Sequence, residues 1–121
     1  MNGLQKVKDD IKHEGFDYAF RGYSSYDDVD SKRFHNARKK YVSDADAIEK
    51  YIKTKNKKDE DYFYDHEVAT DVPSAIDNDG IENALITEYD WKRIEDDDFH
   101  KLLKNYKKSA KALAKHVNYE F

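Results

Sequence analysis

Residues 33–41 read RFHNARKKY and residues 98–106 read DFHKLLKNY. Both set Phe before His, Lys four positions after the His, and Tyr two positions beyond that. A phrase that returns after 65 positions in a chain of 121 residues points to a repeated unit. Sliding the chain on itself by that offset aligns residues 11–52 with 76–117 without a gap. Ten of the 42 pairs are identical, where chance matching would give about three. Gly15/Gly80, Ala19/Ala84, Phe34/Phe99 and Tyr41/Tyr106 are among them. Phe16/Ile81, Phe20/Leu85, Tyr26/Trp91 and Val29/Ile94 change identity but stay apolar or aromatic.

The spacing within the unit is helical. Phe34, Ala37, Tyr41, Ala45, Ile48 and Ile52 recur every three or four residues, as do Phe99, Leu102, Tyr106, Ala110, Leu113 and Val117. Such a stripe buries one face of a long helix. Asp30 or Ser31 is placed to cap the first helix, and Glu95 or Asp96 the second. Upstream, Leu4, Val7 and Ile11 form a shorter stripe, continued by Phe16, Ala19, Phe20 and Tyr23. Its copy is Ile76, Ile81, Ala84 and Leu85, opened by Pro73, which suits a first helical turn. Gly15 and Gly80 either let a neighbouring helix approach closely or break each helix, and KHEG and DNDG favour the break. The expected fold is mainly all-α, with two tandem helical hairpins packed as a small four-helix arrangement. Residues 1–53 form the first unit, 54–74 a Tyr-rich acidic linker and 75–121 the second, all within one globular domain.

Composition narrows the function classes. Charged residues make up 40% of the chain against 38% hydrophobic, so the 16 Phe and Tyr residues supply much of the core. A net charge of −4 favours solubility without defining a partner. The chain has no Cys, which excludes disulfides, thiolate metal sites and a cysteine nucleophile. The opening MNGLQKVKDDIKHEG has no apolar run of the signal-peptide type, and no segment has membrane-spanning length. The expected location is cytoplasmic, in a bacterial host, with the chain a monomer or a homodimer.

Several residues invite a chemical reading. His35 and His100 occupy matched positions and would bind a metal or share a proton if they faced each other. Neither copy carries HExxH or ExxH, so the expectation is packing, with each ring bonded to Asp30, Glu95 or backbone. DNDG, residues 77–80, resembles the middle of an EF-hand loop. Ala75 and Ile86 would then stand where ligands belong, which rejects calcium there. Lys101, Lys104, Lys108, Lys111 and Lys115 form a basic face on the last helix behind the acidic run Glu95 to Asp98. Nucleic-acid binding and simple complementarity to the helix macrodipole both fit that pattern, and the second is preferred in an acidic chain. No catalytic residue, cofactor or metal site is assigned.

The linker stands apart because it matches neither copy. It carries Tyr62, Phe63 and Tyr64 among Asp59, Glu60, Asp61, Asp65 and Glu67. Two readings stand: aromatic anchors in an acidic surface that meets a basic partner, or core residues closing one end of the helices.

EGFDYAF and FHNARKKY, with the weaker copy DGIENAL and EDDDFHKLLKNY, resemble small proteins of unassigned role encoded by bacteriophages and other mobile elements. The likeness covers residues 11–52 and 76–117. It implies a class of role, in which small acidic proteins bind and disable host machinery, CRISPR nucleases included. The resulting expectation is a non-catalytic protein–protein interaction module acting as an inhibitor. Its partner would be a host protein with a basic surface, such as a defence nuclease. Asp27, Asp28, Asp59, Glu60, Asp61, Tyr62, Phe63, Tyr64, Asp65 and Trp91 would form the contact. The alternative is a nucleic-acid binder using the lysine face.

Overall fold

A computed structural model describes residues 3–22 and 26–121, so the place of Tyr23 in the upstream stripe lies outside the described residues. The chain is mainly helical. Helix α1 (Leu4–Glu14) is followed by α2 (Phe16–Arg21) and the long α3 (Lys32–Lys58). Strands β1 (Tyr64–Asp65) and β2 (Thr70–Asp71) form a minimal antiparallel hairpin with Tyr64 opposite Asp71. Helix α4 (Val72–Asp79), a π-helical turn at Asn83–Thr87 and α5 (Asp97–His116) complete it.

Helices α3 and α5 form the spine. Tyr41 of α3 meets Tyr106 of α5, their ring centroids 5.6 Å apart. Ten residues further along α3, the Tyr51 hydroxyl reaches Asp96, ten residues before Tyr106. The two helices therefore run antiparallel. Their stripes are buried as the spacing predicts, with Phe34, Tyr41, Ala45, Ile48 and Ile52 on one and Phe99, Tyr106, Ala110 and Leu113 on the other. Leu103 is buried on α5, while Leu102 is half-buried, so the stripe is one position wider than read. Phe16 and Phe20 pack against Tyr41, with ring centroids 5.3 and 6.2 Å away, and Trp91 is buried as well.

At two pairs of positions 65 apart, Gly15/Gly80 and Ser31/Asp96, the local geometry matches. The Gly15 N–H donates to Ile11 O at 2.9 Å and closes α1, while Gly15 O accepts from Ala19 and opens α2. Gly80 does the same between Ile76 and Ala84. Both glycines lie at positive φ with extended ψ, 92° and 157° for Gly15 and 87° and 153° for Gly80. That region is open almost only to glycine, which explains why each helix breaks there. Ser31 Oγ accepts from the Phe34 N–H and Asp96 Oδ1 from the Phe99 N–H, each capping a long helix. The segments after the glycines differ, since α2 is an α-helix whereas its counterpart opens into the π-turn.

The segment between the halves is shorter than 54–74. Helix α3 runs six residues past Ile52, taking in residues 53–58. Its apolar stripe ends at Ile52, but Lys55, Lys57 and Lys58 favour the C-terminal end of the helix and Lys55 lies over the Tyr51 ring.

Candidate functional site

The turn after α3 is pinned to the start of α5. Tyr51 and Tyr62 both donate a hydroxyl hydrogen bond to Asp96 Oδ2, at 2.6 and 2.5 Å, while Oδ1 of the same carboxylate caps α5. Burial works to raise the pKa of Asp96, but the two tyrosines and the Phe99 N–H outweigh it and hold the carboxyl below its usual value. The Tyr62 hydroxyl is pushed up, chiefly by its bond to that carboxylate. Lys55 Nζ sits 5.5 Å from the Tyr51 ring centre and 5.6 Å from that of Tyr62. Tyr62 remains 36% exposed, and Asp59, Glu60, Asp61, Glu95, Asp97 and Asp98 are exposed around this end.

The ten residues read as a contact surface do not form one. Asp27 and Asp28 are exposed before the N-terminus of α3, whereas Asp59, Glu60 and Asp61 follow its C-terminus. A helix of 27 residues separates them, about 40 Å at 1.5 Å per residue. Phe63 is fully buried between Tyr51, Tyr62 and Phe99. Trp91 is also buried, its indole N–H donating to Ala84 O at 2.8 Å and its ring stacked on Tyr89. Asp65 is buried too. Its Oδ1 accepts from the Glu67 N–H at 2.9 Å, and its Oδ2 lies 3.8 Å from Arg93 Nη1. Tyr64 is half-buried with its ring against His66. Phe63, Asp65 and Trp91 thus build the core and shape the hairpin, leaving Tyr62 and its acidic neighbours as the accessible part of the set.

Each of the paired histidines bonds to backbone. His35 Nε2 lies 2.7 Å from Val29 O and His100 Nε2 2.6 Å from Ile94 O. In the antiparallel pair His35 stands level with residue 112, so the two rings are about 18 Å apart along the helices. Among the described residues no three His, Asp or Glu side chains converge as a metal site.

Sequence reading passed over the polar centre of the molecule. The Tyr41 hydroxyl donates to Asp17 Oδ1 at 2.5 Å and lies 3.3 Å from the Tyr106 hydroxyl. Arg21 grips Asp17 with Nε and Nη2, at 2.8 and 2.9 Å, and turns Nη1 to Asp46 and Glu49. Burial drives the Tyr41 hydroxyl far above its ordinary value, and Tyr106 and Asp17 add to the rise. Glu82, 65 positions after Asp17, is buried, and burial raises its carboxyl above the usual value. It spans the two helix breaks, since a Cβ at Gly15 would lie 3.5 Å from its Oε1 and one at Gly80 3.6 Å from its Oε2. The available signal was the matched pair Asp17/Glu82, which keeps charge while Phe16/Ile81 and Ala19/Ala84 keep apolarity.

The lysine face of α5 is present as spaced, with Lys101, Lys104, Lys108, Lys111 and Lys115 all exposed. No helix among the described residues is long and apolar enough to cross a membrane. No protein-family model, curated protein or solved structure gives a significant match to this chain.

Proposed function

We propose that this chain is a non-catalytic interaction protein that seats its acidic, tyrosine-bearing end on the basic surface of a larger protein. The observation that carries this reading is Tyr62. Its ring is exposed, yet its hydroxyl is tied to Asp96, so it stands fixed between the acidic runs 59–61 and 95–98. A held aromatic ring loses little freedom on binding, and carboxylates around it favour a cationic counterpart. The likeness to mobile-element proteins supports a host nuclease as that counterpart, with its nucleic-acid groove as the basic surface. A catalytic role finds no support in the histidines, each of which commits a ring nitrogen to a backbone carbonyl.

Affinity capture from bacterial host lysate, quantified by mass spectrometry, tests the proposal. A protein retained by the wild-type chain and lost with Asp59→Lys, Glu60→Lys and Asp61→Lys together supports it. Equal retention by both chains, with the fold intact by circular dichroism, overturns it.

A further inference from the structure

Helix α5 carries a charge asymmetry that the acidic end does not use. Six of the 22 Lys and Arg residues and none of the 26 Asp and Glu residues fall within 99–119, so that segment holds +6 against −10 for the rest. At about 100° per residue, Lys101, Lys104, Lys107, Lys108, Lys111 and Lys115 share a sector of about 120°. The opposite side, with Phe99, Tyr106, Ala110 and Leu113, lies in the core. Five of the six are exposed and Lys107 is half-buried. Among the described residues none of them forms an ion pair, whereas on α3 Lys40 pairs with Asp44 and Lys53 with Glu49.

The helix macrodipole does not account for this row. Its effect is confined to the terminal turns, where it favours Asp97 and Asp98 at one end and Lys115 at the other. Lys101 and Lys104 lie beyond the first turn, where the macrodipole offers them nothing. Lys104/Lys108, Lys107/Lys111 and Lys111/Lys115 are like charges four apart, and each pair works against the helix. The row is therefore held at a cost that α5 alone does not recover.

We infer that this face binds the phosphate backbone of double-stranded nucleic acid without regard to sequence. The row is about 21 Å long with six cations, on average one per about 4 Å, facing a polyanion that carries about one charge per 1.7 Å of axis. Beside it, Lys92, His100, Lys104 and Lys107 border a shallow groove of about 270 Å³, whose rim also carries Asp90, paired with Lys92 at 3.7 Å. That groove has room for a phosphate group. Single strands are disfavoured because, among the described residues, the exposed large aromatics Tyr18 and Tyr62 lie off α5 and offer the row no stacking platform. A lipid surface is disfavoured because the apolar side of α5 is occupied by the core and cannot insert. An acidic protein would be expected to engage an aromatic or otherwise desolvated anchor, and the row presents none. The inference stands apart from the acidic end, which faces a different partner.

Fluorescence anisotropy with the full chain and a labelled random duplex of about 30 base pairs tests it. Binding should weaken roughly 60- to 1,000-fold between 50 and 200 mM salt, a log–log slope of about −3 to −5. Lys104→Glu with Lys111→Glu should weaken it more than about tenfold, and the Gln pair should flatten the slope. Lys53→Glu with Lys57→Glu makes the same change in charge on α3 and should leave binding within about threefold. The Gln pair decides the matter if the Glu pair unfolds. Absent binding at 50 mM salt, salt-independent binding, equal loss with the α3 pair, or tighter binding to phosphatidylserine vesicles or polyglutamate overturns the inference.

Discussion

The hydroxyl oxygens of Tyr41 and Tyr106 lie 3.3 Å apart where α3 crosses α5, and only the Tyr41 hydroxyl has a carboxylate acceptor, Asp17. Two residues at matched positions therefore do unequal work. Removing the Tyr41 hydroxyl leaves a partly buried carboxylate short of a donor. Removing that of Tyr106 loses one long contact between neutral groups.

Tyr41→Phe is therefore expected to destabilise the chain by about 1.5–3 kcal/mol and Tyr106→Phe by about 0.5–1.5 kcal/mol. Urea denaturation of both single variants and the double variant measures this. Equal effects would show that the Asp17 bond contributes nothing special.

Gly15→Ala and Gly80→Ala force a side chain into a backbone region reserved for glycine. Each should cost about 1–3 kcal/mol, and far-UV circular dichroism should show helix retained. The cause is backbone strain, because a new Cβ would meet Glu82 only at ordinary contact distance.

The aromatic trio of the connecting segment should separate cleanly. Phe63→Ala opens a cavity beside Phe99 and should cost about 3–5 kcal/mol, whereas Tyr64→Ala, at a half-buried position, should cost about 1 kcal/mol or less. Thermal melts of the two variants decide it.

Two carboxyl groups should respond to pH in opposite directions. Glu82 binds its proton more tightly folded than unfolded, so its ionisation opposes folding as pH rises above about 4.5. Glu82→Gln should then gain stability relative to wild type from pH 4 to 7. Asp96 has a lowered value, so its contribution is present above about 3.8 and is lost as pH falls. Asp96→Asn should be clearly weaker than wild type at pH 7 and should approach it at pH 3. Denaturation midpoints across that range test both signs.

What could be seen in advance was whatever repeats with a period. The stripes from Phe34 to Ile52 and from Phe99 to Val117 announce their helices because burial selects every third or fourth residue. Capping chemistry narrowed each start to two candidates, and Ser31 and Asp96 are the ones that cap. Gly15 and Gly80 showed as breaks because only glycine takes their backbone angles. Three consecutive aromatics carry no period, so nothing local told Phe63 in the core from Tyr62 at the surface. The end of α3 was hidden for a related reason, since residues 53–58 hold helix by propensity and terminal lysines after the stripe has ended. Asp17 and Glu82 look like surface acids in isolation, and only the fold brings them to the tyrosine crossing.

The segregation of charge onto α5 has a practical consequence for handling the molecule. Net charge −4 predicts that it should pass through a sulfonate resin at neutral pH. A column, however, sees the face it touches and not the sum. In low ionic strength the chain should be retained on both anion- and cation-exchange media, each gripping it from a different side.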